Sequence, residues 1–201
     1  MTPSAAETAP RRGRPAAASR DEVLKLATRR YLRGERVDVQ AIASELGLGR
    51  TTIYRWFGSR AGLIGDVLVS VTEPLLAEAR AGARGKGGAK LLDTFHRFNR
   101  SLVDAPALRR FVEQERDAAV RIITSGAGNV QPRNVAMITE VIEGEVGAGT
   151  YDPPVEPATL GYAIVRLAEA FLFNETATAM RDSVDRLRDV EAALLGVDAS
   201  R

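Results

Sequence analysis

Residues 38–60, DVQAIASELGLGRTTIYRWFGSR, constrain this chain more than any other stretch. Over 39–46, Ile42, Ala43 and Leu46 form one apolar stripe at helical spacing. Gly47-Leu48-Gly49 interrupts it. A second helix is expected over 50–57, with Ile53 and Phe57 one turn apart and facing inward. Arg50, Thr51, Thr52, Tyr54, Arg55 and Trp56 then face outward, and most carry hydrogen-bond donors. Two short helices around a glycine-containing turn make a helix-turn-helix, whose second helix lies in the DNA major groove.

Charge agrees with that reading. The net charge is only +2, but residues 11–60 hold twelve Lys/Arg against five Asp/Glu, a local +7. Residues 61–201 carry −4 in balance. A basic N-terminal quarter on a mildly acidic body is the electrostatic footprint of a nucleic-acid-binding head. A solvated arginine-rich face would give the same numbers, and the coincidence with the helix-turn-helix decides between them.

Residues 1–19 are rich in Ala, Pro, Ser and Arg, without apolar period, and read as a disordered basic arm. Arg12 and Arg14 flank Gly13 in Arg11-Arg12-Gly13-Arg14-Pro15. A thin cationic segment of this kind can lie in a narrow minor groove. A solubilising tail explains it equally well.

The first helix is expected over 20–34, capped by Ser19 and ended by Gly34, with Leu24, Ala27 and Tyr31 inward. The DNA-binding domain thus spans 20–60. Ser59 caps a long connecting helix to about residue 81, with Pro74 inside it as a source of bending. The Gly-Lys pair near Gly85 lacks the spacing of a phosphate loop, so 82–88 is a flexible connection.

Residues 82–201 read as an all-helical ligand-binding and dimerisation domain. Helices are expected over 89–104, 106–123, 132–146, 157–174 and 182–195. With the head this gives an all-α fold of about nine helices: a three-helix helix-turn-helix head and a helical-bundle body. The 157–174 helix has two apolar stripes, Leu160, Ile164, Leu167 and Phe171 on one side and Tyr162, Val165 and Leu172 on another. A helix apolar on two sides is buried on two sides. It is either the centre of a monomer or, with the last helix, half of a four-helix bundle between two copies. The second is favoured, since major-groove readers gain specificity from two half-sites about 34 Å apart.

The chain has no cysteine, one histidine (His96), and neither a Gly-x-Ser-x-Gly nor a His-Glu-x-x-His. These absences argue against an enzyme, a metal site and a cofactor. No stretch approaches a membrane span, and a cytoplasmic location is expected.

On Ile42-Ala43, Leu46 to Phe57 and Ser59-Arg60, the chain resembles the TetR family of one-component transcriptional regulators. The resemblance implies phosphate contacts from Thr51, Tyr54 and Arg60, and base contacts from Arg50, Thr52 and Arg55. Arg60 stands where the family commonly has lysine, and Gly49 where it commonly has serine. Tyr151-Asp152-Pro153-Pro154 with the 163–171 segment is similar to the QsdR-type branch, associated with degradation of quorum-sensing lactones.

The expected function is therefore a homodimeric repressor of a palindromic operator in double-stranded DNA. It is released by a small, largely apolar effector, a quorum-sensing lactone or a fatty-acyl-like molecule. Candidate effector-binding residues are Phe95, Phe98, Leu102, Phe111, Val112, Met137, Ile138 and Phe171, with Asn99, Tyr162 and Arg166 as polar partners. An effector-independent architectural DNA-binding protein is the alternative.

Overall fold

The computed structural model describes residues 18–173 and 179–198. Every regular element among them is an α-helix: α1 (Arg20–Leu32), α2 (Val39–Glu45), α3 (Arg50–Phe57), α4 (Arg60–Gly82), α5 (Gly87–Asp104), α6 (Pro106–Gln114), α7 (Arg116–Thr124), α8 (Val130–Gly147), α9 (Pro157–Phe173) and α10 (Ala179–Leu195). The basic arm of residues 1–17, with Arg12 and Arg14, lies outside the described residues.

The local sequence sets the head's boundaries. Ser19 accepts from the Glu22 N–H at 3.2 Å, and Glu22 accepts from the Ser19 N–H at 2.7 Å, a reciprocal cap that starts α1. Asp38 starts α2 by accepting from the Ala41 N–H at 3.0 Å. Gly47, at φ +63°, ends α2 and sends the Leu48 N–H back to the Ala43 carbonyl. A side chain there would be strained, so the tight turn needs this glycine. Ser59 starts α4 by accepting from the Gly62 N–H at 3.0 Å.

Helix α4 has 23 residues, which at 1.5 Å each spans roughly 34 Å. Its first half packs on α1 and α3, and the helix also contacts α5, α7 and α8, so one rigid element belongs to both head and body. Pro74 lies on its exposed side.

In the body, α5, α8, α9 and α10 contact one another in a ring, and α7 packs on both α8 and α9. Gly161 lets α9 approach α8 closely: a Cβ there would lie 2.4 Å from Thr139 Oγ1 and 3.2 Å from its backbone nitrogen. The two apolar stripes of α9 do not map onto two buried faces. Leu160, Ile164, Val165 and Leu172 are buried, Leu167 and Phe171 half-buried, and Tyr162 is 52% exposed.

About nine helices are expected, and ten are found among the described residues. The periodicity over 106–123 is continuous, but Glu115 leaves the helical region (φ −134°, ψ 45°) and splits the segment into α6 and α7. The cause is tertiary, because the Glu115 carboxylate is held by two arginines of the head. Helix α10 begins three residues earlier than expected and α5 two residues earlier.

Candidate functional site

Helix α3 presents the outer surface of the head. Ile53 and Phe57 are buried and anchor it, while Arg50, Thr51, Tyr54 and Arg55 are exposed and Thr52 is half-buried. Trp56 is also half-buried, packed on the core. Gly49 precedes α3 in extended geometry and supplies no side-chain cap, so the first N–H groups of the helix lack that partner. Those groups and the helix dipole favour an anion at this end.

The head's positive charge is largely occupied. Arg20 pairs with Asp66, Arg30 with Glu45, Arg33 with Glu35, and Arg36 and Arg60 with Glu115. Arg50 and Arg55 have no carboxylate partner among the described residues. Of the nine Lys/Arg over residues 18–60, four have no carboxylate partner among the described residues, and two of these stand on α3.

Arg60 is not turned outward. Its two terminal nitrogens donate to the two Glu115 oxygens at 2.7 Å each, and its Nε donates to the Val37 carbonyl at 2.7 Å. This fork joins α4, the loop before α2 and the α6–α7 break. The Arg60 hydrogen bonds hold the Glu115 carboxyl below its ordinary range, so it is ionised at neutral pH. Beside it, Phe111 meets Tyr31 edge-on with centroids 6.1 Å apart. A second tie runs from Asn129, at the start of α8, to Asp66 on α4 and on to Arg20 on α1.

The body holds a narrow cavity of about 40 Å³ at the centre of the α5–α8–α9–α10 ring. Six of the candidate effector residues meet there: Phe95, Phe98, Asn99, Leu102, Met137 and Ile138. Ile123 of α7 closes part of the wall. The other five lie elsewhere. Phe111 packs at the head–body junction, and Val112 is core. Tyr162 is on the outer face of α9. Arg166 is exposed, donating to the Thr124 carbonyl at 3.1 Å and to Glu169 Oε2 at 2.6 Å. Phe171 lies beneath the Arg186 guanidinium, 5.9 Å from its ring centroid.

Sequence reasoning missed the cavity's acids. Glu191 is fully buried and Glu169 is 5% exposed; both line the cavity, as does Asn134. Asn99 Nδ2 donates to Glu191 Oε1 at 3.0 Å. Burial pushes the Glu191 carboxyl up to about 8, and burial also raises Glu169, partly offset by Arg166. The signal was present in the register: Glu191 falls in line with Val184, Leu187 and Leu195, and Glu169 with Val165 and Leu172. A carboxylate in an apolar helical stripe marks a site rather than a surface.

A donor-bearing helix-turn-helix, tied by ion pairs to a helical body with its own polar-lined cavity, defines a one-component DNA-binding regulator. The comparisons with known proteins agree. Residues 86–196 match the family model described as the tetracyclin repressor-like C-terminal domain. The transcriptional repressor QsdR of the TetR family, from R. erythropolis, is 31% identical with a TM-score of 0.80, covering 89% of this chain and 94% of its own. The TetR-family repressor AlkX from Dietzia sp. shares the fold at 22% identity and a TM-score of 0.59, covering 90% of this chain and 97% of its own. No curated protein sequence matches. The chain belongs to the TetR family of transcriptional regulators.

Proposed function

We propose that two copies of this chain bind a palindromic operator and block transcription until a small, largely apolar effector enters the body. Arg50, Thr52 and Arg55 read bases, while Thr51, Tyr54 and the open start of α3 hold phosphate. Arg12 and Arg14 add minor-groove contacts from the arm. Arg60, engaged by Glu115, serves as the joint between head and body rather than as a free phosphate clamp.

The observation that carries this reading is the placement of α7. Ile123 near one end lines the cavity, and Glu115, immediately before the other end, holds Arg60. Ligands of drug size occupy about 300–1,000 Å³, well beyond the present cavity of about 40 Å³. An effector must therefore spread the ring, and it binds the spread state more tightly than the narrow one. Movement of α7 then reaches the head through Glu115 and shifts the spacing of the two recognition helices.

The outer face of α9 supports the second copy. Tyr162 is exposed there, and Leu167 and Phe171, on the other stripe of the helix, are only half-covered. The cavity and its two acids, each with one oxygen left open, speak against an effector-independent architectural protein, whose body would be packed solid. An acyl lactone is the first effector to test, on the resemblance to the QsdR-type branch. Operator titration of Tyr54→Ala and Arg55→Ala proteins tests the DNA reading. Unchanged binding by both folded variants refutes it. Light scattering that finds only monomer refutes the dimer.

A further inference from the structure

The cavity's polar atoms specify more than an apolar ligand. Three buried side-chain atoms on its wall have no hydrogen-bond partner among the described residues: Asn134 Oδ1, Glu169 Oε1 and Glu191 Oε2. All are oxygens. An amide can be turned about its own axis, so Asn134 is neutral evidence. The two carboxyl groups cannot: one oxygen of each is already engaged, by Asn99 and by Arg166, and the other is open. Among the described residues no Lys, Arg or His lines the cavity, and the rest of its wall is almost wholly carbon. Buried unpaired carboxyl groups of this kind are costly to leave unsatisfied, so they mark where a ligand gains by donating to an ionised oxygen or by accepting from a protonated one.

We infer that this cavity selects an amphiphile with an N–H-donating head, an amide or an amine, on an apolar tail, and that it rejects the corresponding carboxylic acid. The inference rests on the reading of the cavity as the effector site and narrows its chemistry. The head lies between Glu169 and Glu191, and the tail runs along Phe95, Phe98 and Met137. A secondary amide gives its N–H to one carboxyl and takes the proton of a neutral Glu191 on its carbonyl. An ammonium head instead pairs with the ionised acids. A carboxylate head can accept the Glu191 proton, but it faces the Glu169 carboxylate, whose Arg166 partner is already engaged, and it finds no further cation among the described lining residues. Of the two effectors that the sequence suggests, an N-acylated lactone satisfies this site and a free fatty acid does not.

The test uses the full chain and three probes of one tail length: octanoic acid, N-methyloctanamide and octylamine. Binding is measured by calorimetry, and release by loss of operator affinity. The amide or the amine is expected to bind at least about tenfold more tightly than the acid, the equivalent of one good hydrogen bond. Which of them leads tells a neutral head from a cationic one. Glu191→Gln keeps an acceptor but loses the acid, and it should reduce the amine's advantage more than the amide's. Glu191→Met, of similar length, should erase both; the milder Glu169→Gln provides a second readout if Glu191→Met fails to fold. Equal or stronger binding of octanoic acid overturns the inference, as does a preference that survives both the Glu191 and the Glu169 substitutions. Binding of none of the three also overturns it, while intact operator binding in that case leaves the DNA-binding reading standing.

Discussion

Replacing Glu115 by Gln is the sharpest perturbation of the head–body joint. The substitution keeps the volume and one acceptor oxygen. It removes the charge, and it turns an amide N–H₂ toward a guanidinium that can only donate. The Glu115 side chain is 20% exposed and that of Arg60 is 27% exposed. The pair therefore falls between an open surface bridge, at about 0.2–1 kcal/mol, and a buried one whose disruption costs about 3–5 kcal/mol. Arg60 keeps its bond to the Val37 carbonyl, and water can reach part of its guanidinium. A loss of about 2 kcal/mol is expected, and about 4–8 °C in Tm for a chain of this size. The cause also sets a pH signature. Arg60 holds the Glu115 carboxyl below its ordinary 4.5, so the stabilisation is complete above that value and is lost as pH falls through the lower folded value. Thermal melts of wild type and Glu115→Gln should thus converge at acid pH. Calorimetry at neutral pH with an operator titration beside it is the assay. Equal melting temperatures at neutral pH, or a gap that stays constant into acid, would refute the account of this joint.

Three further outcomes follow from the same geometry. Glu191 is protonated in the folded state up to about pH 8 but ionises near 4.5 once unfolded, so wild-type stability should fall between those values. The full cost is on the order of 5 kcal/mol, and Glu191→Gln should show a much flatter melting profile over the same range. Gly161→Ala places a methyl group 2.4 Å from Thr139 Oγ1 at the α8–α9 crossing, and a loss of about 1–3 kcal/mol in chemical denaturation is expected. Salt-dependent fluorescence anisotropy should separate two roles on α3. Arg55→Ala should relax sequence preference at about 1–3 kcal/mol, whereas Thr51→Ala should weaken all sequences alike.

Most of the head could be read from the sequence because its boundaries are set by nearest neighbours. Ser19, Asp38 and Ser59 cap their helices through bonds three residues long, and Gly47 turns the chain by its own backbone freedom. The missing cap at Gly49 was legible for the same reason. The α6–α7 break was not, since it depends on Arg60, which lies 55 residues away from Glu115 in sequence. Apolar periodicity found five residues of the cavity wall but could not separate them from Val112, which obeys the same period inside plain core. The cavity acids carried a clearer signal than any phenylalanine, because a carboxylate in a buried register has few structural uses.

The narrowness of the body cavity bears on how quickly a cell could sense anything through it. On the function proposed above, a cavity of about 40 Å³ is too narrow for an effector of drug size, so entry requires the ring to open first. At high effector concentration the observed binding rate then stops rising and settles at the opening rate of α5, α8, α9 and α10. Departure would wait on the same opening, so an induced state would outlast a brief fall in effector.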